Sequence, residues 1–205
     1  MLIRVRIIAG QYRSRTLEAP AGLATRPTSD RLRETLFNVL APQIEGAIFL
    51  DLYAGSGVVG IEALSRGAAR VTFVERAPAA LKIMRANLAH LGLTETVSIS
   101  SGSVGSFLRR PNAKGLGDSL PYDLVFLDPP YDAEAEYALS LGLLGGGAAK
   151  SLAQGAMVIA EHRRKERLEE HYGLLRRSRL LEQGDAALSF YRLDEQSVEE
   201  RLDGR

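Results

Sequence analysis

The hydrophobic positions of this chain follow two different periods. Short apolar runs such as AIFLDLY and RVTFVE are typical of buried strands, whereas the segments between them repeat every three or four residues, as amphipathic helices do. Strands are predicted in this way at residues 47–53, 70–75, 96–101, 122–128 and 156–162. Helices are predicted from Thr28 to about Leu40, after a glycine turn at 55–60, from Pro78 to Gly92, and at about 134–144. Alternating strands and helices predict an α/β fold with parallel strands.

The two ends of the chain depart from this alternation. Residues 1–20 alternate apolar and basic positions around Gly10, which indicates a small β-hairpin. Near the other end, Gly184-Asp185 separates two β-like runs and predicts an antiparallel hairpin. We therefore expect a mostly parallel, seven-stranded sheet with a C-terminal antiparallel hairpin and an N-terminal hairpin extension. The expected units are a basic hairpin and loop (1–27), one α/β domain (28–193) and a disordered acidic tail (194–205).

Composition narrows the class of protein. The chain has 205 residues, is 45% hydrophobic and carries a net charge of +1, as ordinary globular proteins do. The charge is uneven, because residues 1–33 contain seven arginines against only Glu18 and Asp30. Cysteine is absent and the three histidines lack metal-ligand spacing, so no metal site is expected. No apolar run approaches the length of a membrane span and no signal peptide is evident, so a cytoplasmic protein is expected.

A glycine-rich turn follows the first predicted strand of the α/β domain. Gly55, Gly57 and Gly60 fit the pattern G-x-G-x-x-G, which permits a tight turn and close approach of the backbone to a ligand. Glu75 ends the next strand, 20 residues after Gly55, where an acid accepts hydrogen bonds from ribose hydroxyls. These residues predict a site for an adenosine-containing cofactor.

The position of Asp51 favours one of two cofactor classes. It ends the strand four residues before Gly55, and its carboxylate would repel the pyrophosphate of a dinucleotide. The same carboxylate suits the cationic amino and sulfonium groups of S-adenosyl-L-methionine. The pattern D-x-x-x-G-x-G therefore favours a methyl donor, although Asp51 as a simple cap of the turn stays open.

A second motif, L-D-P-P-Y, ends the fourth predicted strand. By the strand-end rule for open α/β sheets, Asp128 opens into the same crevice as Asp51 and Glu75. An exocyclic base amine is a poor nucleophile until its hydrogens are held, and Asp128 with a carbonyl of Pro129 or Pro130 could accept them. The prolines fix the backbone geometry, and Tyr131 offers a face on which a base could stack.

With these motifs in place, the chain resembles the amino-methyltransferases acting on nucleic acids, and more narrowly the RsmD-type methyltransferases. The resemblance rests on residues 6–17, 26–40, 51–68 and 126–131. It implies a class I methyltransferase fold of the Rossmann-like type and methylation of a guanine N2 amine in bacterial 16S ribosomal RNA. It also implies S-adenosyl-L-methionine as cofactor and the small ribosomal subunit or its assembly intermediate as partner, with the enzyme itself expected to be a monomer.

The resemblance also assigns roles to individual residues. It implies cofactor contacts at Asp51, Gly55, Gly57 and Glu75, and the target amine among residues 128–131. Tyr53 and Ala54 are expected to line the cofactor pocket. Relatives commonly carry Asp or Asn after the third strand to bind the adenine amine, and Ser103 stands at that position here.

The basic N-terminal segment is the expected RNA contact, because phosphate neutralisation supplies most affinity that does not depend on sequence. The candidate phosphate contacts are Arg6, Arg13, Arg15, Arg26, Arg31 and Arg33. Tyr12 could stack on an unpaired base. A solvated hairpin without a ligand is the alternative, and Arg31 or Arg33 could equally pair with Glu34 or face the cofactor. The second basic stretch, residues 162–167, is interleaved with acids and is expected to be a solvated helix.

Three other functions stay open at this point. D-P-P-Y chemistry would serve adenine or cytosine amines of RNA or DNA as well as guanine. A nicotinamide-dependent oxidoreductase would use the glycine turn, but Asp51 and the lack of an evident hydride-relay pair argue against it. A non-catalytic RNA-binding module would not need Asp128 and Tyr131.

Overall fold

The computed structural model describes residues 1–20, 27–110, 120–130 and 134–194. Its strands are β1 (Leu2–Arg6), β2 (Thr16–Pro20), β3 (Ile48–Leu52), β4 (Arg70–Glu75), β5 (Val97–Ser101), β6 (Tyr122–Leu127), β7 (Leu152–Arg163), β8 (His171–Tyr172), β9 (Leu175–Gln183) and β10 (Ala186–Leu193). Its helices are α1 (Pro27–Leu40), α2 (Val58–Ser65), α3 (Pro78–Leu91), α4 (Val104–Leu108) and α5 (Glu134–Leu144). Among the residues described, no helix is long and apolar enough to cross a membrane.

The main sheet has eight strands in the order β5-β4-β3-β6-β7-β10-β9-β8. The pairs from β5 to β7 are parallel, and β10, β9 and β8 add antiparallel neighbours. The expected α/β class is confirmed, but the expected count of seven strands is wrong. The extra strand, β8, is only two residues long and pairs with β9, and so short a segment carries no alternation that a sequence pattern could reveal.

Helices cover both faces of the parallel half of the sheet. On one face, buried side chains of α1, α2 and α3, such as Leu36, Ile61 and Met84, form one core with alternate sheet residues. On the other face, buried residues of α4 and α5, such as Phe107 and Leu141, form a second core. This sandwich leaves the carboxyl edge of the parallel strands free for a ligand, as in other open α/β sheets.

The N-terminal hairpin, β1 paired with β2, packs on the domain through a buried acid. Glu62 of α2 is 0% exposed, and its carboxylate accepts the backbone N–H groups of Ile8 (2.8 Å) and Ala9 (3.0 Å). Arg66 donates to the same carboxylate at 2.7 Å, and the Nε of Arg33 lies 3.8 Å away. A buried carboxylate is tolerated when charges and hydrogen bonds surround it in this way.

Close approach of two backbones completes the docking of the hairpin. Gly10 has a φ of 83°, and a Cβ there would lie 1.7 Å from the carbonyl oxygen of Ser65. Only glycine fits at this point. Farther along, the amide of Asn87 in α3 exchanges hydrogen bonds with the backbone of Glu18, so the hairpin is held on both α2 and α3.

The structure confirms most of the predicted elements. The helix predicted at 134–144 and the one from Pro78 closed by Gly92 lie where expected, the latter with Gly92 at a φ of 71°. The stretch 162–167 is not the expected helix, because β7 continues to Arg163 and a turn follows. Most of the expected acidic tail, residues 195–205, lies outside the described residues.

Replacing Glu62 by glutamine should loosen the hairpin. The amide presents N–H groups to backbone donors and removes a charge that balances two arginines, so we expect the free energy of unfolding to fall by about 3–5 kcal/mol. Urea unfolding measures the loss, and hydrogen exchange should show the protection of residues 7–9 falling first. The exposed Glu95→Gln is the matched control; equal stability of the two variants would contradict the role given to Glu62.

Candidate active site

A cleft of about 400 Å³ lies at the carboxyl edge of the parallel strands. The turn between β3 and α2, the ends of β4, β6 and β7, and the end of β2 form its walls. Because Ala19 and Pro20 line it, the N-terminal hairpin is part of this site.

Strand register places Asp51 at the centre of the cleft. Asp51 pairs with Phe73 of β4 on one side and with Phe126 of β6 on the other, and Phe126 pairs with Ile159 of β7. Register partners in a parallel sheet point to the same face, so these four side chains share the face that α1, α2 and α3 cover.

Three more carboxylates follow two residues farther along these strands. Glu75, Asp128 and Glu161 lie two positions after Phe73, Phe126 and Ile159, and the period of two returns each to the same face. All three line the cleft together with Asp51. Four adjacent strands thus each bring one acid to one wall of one cleft.

Asp51 is 2% exposed and accepts the N–H of Gly60, in the first turn of α2, at 2.9 Å. Burial raises the pKa of Asp51 to about 8, the hydrogen bond from Gly60 opposes the rise, and the charges of Asp128 and Glu75 add to it. Asp51 therefore caps the glycine turn, as the sequence left open, and also faces the cleft. A cation bound there would stabilise its charge.

The pKa values of Asp128 and Glu161 are also raised. Burial, with the charge of Glu166, raises the pKa of Asp128 to about 7. Burial raises the pKa of Glu161 well above its usual range; the charge of Asp128 adds to this and that of Arg33 opposes it. Carboxyl groups with raised pKa values in a cleft are typical of functional sites.

Glu75 holds two turns of the cleft together. One carboxylate oxygen accepts the N–H of Gly55 at 2.8 Å, and the other accepts those of Arg76 (2.8 Å) and Ala77 (2.7 Å). A carboxylate has about four acceptor positions, so one stays available to a ligand hydroxyl. The expected ribose contact is compatible with this clamp.

The glycines of the turn divide their tasks. Gly55, with a φ of 56°, lines the cleft, whereas Gly57 does not and begins α2 with a φ of 80°. A Cβ at Gly60 would lie 2.3 Å from the ring of Phe73, so this glycine allows α2 to pack on β4.

Tyr53 and Ala54 both line the cleft, as expected. Tyr53 adopts a φ of 60°, which is uncommon for a residue other than glycine. Its hydroxyl lies 2.7 Å from both Glu136 and Ser140 of α5. These bonds hold the ring in place at the wall.

The remaining predicted contacts vary in their geometry. Pro129 is buried, Pro130 is exposed, and both line the cleft, whereas Tyr131 lies outside the described residues. Ser103 lines it as well, but its hydroxyl oxygen already accepts the N–H of Ser106 at 3.2 Å and so caps α4. A contact from Ser103 to adenine would share this oxygen.

The predicted RNA contacts are mostly exposed. Arg6, Arg13, Arg15 and Arg31 are exposed, Tyr12 is half-buried against the core, and Arg26 lies outside the described residues.

Arg33 is not placed as a surface phosphate contact but faces the cleft, which is the alternative that the sequence left open for it. It is 7% exposed, donates to the carbonyl of Arg6 at 2.7 Å and to Asp30 at 3.1 Å, and lines the cleft. Burial lowers its pKa, and the charges of Asp30 and Glu62 oppose that shift. The docked hairpin contributes to this burial, because its Arg6 carbonyl accepts a hydrogen bond from the Arg33 guanidinium.

Sequence reasoning missed three charged residues of the cleft: Arg76, Glu136 and Glu161. Glu161 had a signal, because it ends an apolar strand just as Glu75 and Asp128 do. Glu136 had none beyond its place on a predicted helix. No group of acids and histidines in the described ranges could hold a metal ion.

The fold and the cleft together define a class I methyltransferase. Residues 5–192 match the family described as "Conserved hypothetical protein 95", and the chain belongs to this family. The expected resemblance to the RsmD-type enzymes is thereby confirmed, and so is the expectation that the protein is a methyltransferase.

Relatives of known name agree with this placement. The "Putative rRNA methyltransferase YlbH" of Bacillus subtilis is 35% identical over 92% of this chain and 98% of its own length. The "Ribosomal RNA small subunit methyltransferase D" of Escherichia coli K12 is 45% identical over 62% of this chain and 61% of its own. The solved "Putative methyltransferase yhhF" of Escherichia coli superposes with a TM-score of 0.80 at 33% identity, covering 94% of this chain and 99% of that one.

The raised pKa of Asp51 predicts how stability depends on pH. The unfolded carboxyl ionises near 4 and the folded one near 8, so the folded protein binds more protons between these values. Stability should fall as pH rises through that window. Asp51→Asn keeps the acceptor for Gly60 and removes the charge, so its melting temperature should exceed that of the wild type at pH 8 and approach it near pH 4. Exposed Asp185→Asn serves as control; a gap that does not vary with pH would contradict the buried charge.

Proposed function

We propose that this protein transfers a methyl group from S-adenosyl-L-methionine to the exocyclic N2 amine of a guanine in 16S ribosomal RNA. The observation that carries the proposal is the meeting of Asp51, Glu75 and Asp128 in one cleft, in a chain whose relatives are named ribosomal RNA methyltransferases. We propose the small ribosomal subunit or an assembly intermediate as the substrate particle, which would place the activity in the cytoplasm.

The cleft residues fit this cofactor. Asp51 is a buried acid, and within the part of the chain that the structure describes no cationic side chain contributes to its pKa shift; a bound sulfonium or ammonium group would supply such a charge. Glu75 keeps one acceptor position for a ribose hydroxyl, and Gly55, Tyr53 and Ala54 offer wall surface. The bound donor supplies a methyl carbon on a positively charged sulfur, which leaves as a neutral thioether when the amine nitrogen displaces it.

Asp128 has two tasks on the amine. Its carboxylate would accept one N–H and so aim the nitrogen lone pair, and a carbonyl of the Pro129-Pro130 segment, which also lines the cleft, would accept the other. As the nitrogen–carbon bond forms, the nitrogen loses a proton. A carboxyl group whose pKa is raised to about 7 accepts that proton more readily than an ordinary one.

The hairpin supports RNA as the carrier of the amine. Its tip exposes Arg13 and Arg15, while its other end forms part of the cleft wall at Ala19 and Pro20. A strand of RNA bound along the hairpin could therefore deliver an unstacked base to Asp128, as enzymes that act on bases require. Adenine or cytosine as the acceptor is the second candidate, since Asp128 alone serves any such amine.

Incubation of the protein with methyl-labelled donor tests the proposal directly. Small-subunit particles, their assembly intermediates and naked 16S rRNA serve as substrates, and nucleoside mapping of the product identifies the base and the atom. Label in N2-methylguanosine is expected. Label in an adenine or cytosine amine would select the second candidate, and label in none of them would overturn the function.

Two substitutions separate cofactor binding from transfer. Asp128→Ala should abolish transfer and leave the dissociation constant for S-adenosyl-L-methionine near that of the wild type, because the side chain acts on the amine. Glu75→Ala should weaken cofactor binding by about tenfold or more, since it loses both the ligand contact and the clamp on Gly55. Calorimetric titration and single-turnover assays measure both effects; parallel losses in the two variants would contradict these assignments.

Reversal of charge at the hairpin tip should weaken RNA binding. Arg13→Glu with Arg15→Glu removes two phosphate contacts, so affinity should fall and the slope of log K against log salt should flatten by about two. Lys150→Glu with Arg192→Glu makes the same change in charge away from the cleft, towards the amino end of β7. Equal salt slopes for both double variants would mean that the hairpin tip does not contact RNA and is only a solvated surface.

A further inference from the structure

We propose that Glu161 selects guanine over adenine and cytosine by accepting the hydrogen on guanine N1 while Asp128 holds the N2 amine. This inference deepens the proposed function and rests on it. It also supplies what the D-P-P motif lacks, because Asp128 alone does not distinguish one exocyclic amine from another.

Position is the first argument. The last register pair between β6 and β7 is Leu127 with Ala160, and Asp128 and Glu161 are the next residues of the two strands. Neighbouring strands lie about 4.8 Å apart, so the two carboxylates stand side by side. Both line the cleft, on the same face as Asp51. A base whose amine reaches Asp128 therefore presents the adjoining edge to Glu161.

The chemistry of base edges is the second argument. Guanine carries two neighbouring donors on this edge, the N1–H and the N2 amine. In adenine and cytosine, the ring nitrogen next to the amine carries a lone pair and is therefore an acceptor. Two side-by-side carboxylates match two donors, whereas an ionised Glu161 opposite a ring lone pair would be repelled. A site built to hydrogen-bond one group rejects an analogue that lacks it far more strongly than a site that reads shape alone.

The surroundings of Glu161 are the third argument. Within residues 1–20, 27–110, 120–130 and 134–194, no donor is within hydrogen-bonding distance of its carboxylate, and Arg33 acts on it only through its charge. Leaving a half-buried carboxylate without a donor is costly. Burial and the charge of Asp128 raise the pKa of Glu161, and the charge of Arg33 opposes that rise. A guanine N1–H donated to the carboxylate would act in the same direction as Arg33 and favour the ionised form. Arg33 is itself held by Asp30 and the Arg6 carbonyl, so it stays in place.

The test compares two target bases that share the amine. 2-Aminopurine keeps the N2 amine but has an acceptor at N1 and no O6. Full-length protein is assayed on 16S rRNA carrying guanine or 2-aminopurine at the mapped position, assembled with small-subunit proteins. The measured quantity is the ratio of kcat/KM for guanine to that for 2-aminopurine, because the missing O6 affects every variant alike.

Glu161→Gln and Glu161→Ala should each lower this ratio by about tenfold or more, the size of one lost charge-assisted hydrogen bond. The glutamine variant should keep or raise its rate on 2-aminopurine, since its amide N–H can donate to N1. An equal loss on both bases would mean that Glu161 only supports the cleft, and an unchanged ratio would remove it from base recognition; either result overturns the proposal. Exposed Glu182→Gln should leave the ratio unchanged.

Failure of the parent function looks different. Should wild-type protein place no methyl group on guanine N2, the proposed function falls and this inference with it. Should wild type methylate guanine while the ratio stays constant across the Glu161 variants, only the role of Glu161 falls. Thermal melting of each variant confirms that the comparison is made on folded protein.

Discussion

Repulsion among four carboxylates at one sheet edge is the constraint on which this structure depends. Parallel strands bring Glu75, Asp51, Asp128 and Glu161 to the same face, where burial makes each charge expensive. Backbone N–H groups offset the cost at Glu75 and in part at Asp51, and Arg33 offsets it at Glu161. What stays uncompensated appears as raised pKa values at Asp51, Asp128 and Glu161. The cleft is therefore primed for cations and for N–H donors.

Residues that face the ligand also hold the cleft in shape. Glu75 joins the turns after β3 and β4, Tyr53 joins the first of these turns to α5, and Ser103 caps α4. Each side chain is thus oriented by a bond to the scaffold before any ligand arrives. A flexible site loses conformational entropy when its ligand binds. Here that entropy is already lost during folding, so binding costs less.

Elements with strong local patterns could be predicted from the sequence. The β4 strand, the α5 helix and the glycine turn each carry their signal within a few neighbouring residues, and the D-P-P motif placed Asp128 correctly beside Asp51. Short elements escaped, because β8 and α4 are two and five residues long and hold no more than about one and a half periods of a strand or helix pattern.

Features set by tertiary contact escaped for another reason. Arg33 has the local sequence of an exposed arginine, and contacts with the Arg6 carbonyl of the hairpin, Asp30 and Glu62 make it a buried wall of the cleft. The expected helix at 162–167 failed because pairing of β7 with β10 extends the strand past its apolar core to Arg163. Charge pattern alone contains no information about such partners.

The buried glutamate of α2, Glu62, links the sequence of this helix to the presence of the N-terminal hairpin. Without the hairpin, the buried carboxylate of Glu62 would lose its two backbone donors and would keep only its interactions with arginine side chains. A homologous enzyme that lost the extension would have to exchange this acid for an apolar or smaller side chain. Presence of glutamate at this helical position should therefore accompany the extension across the family, so that one residue reports on the existence of a whole β-unit.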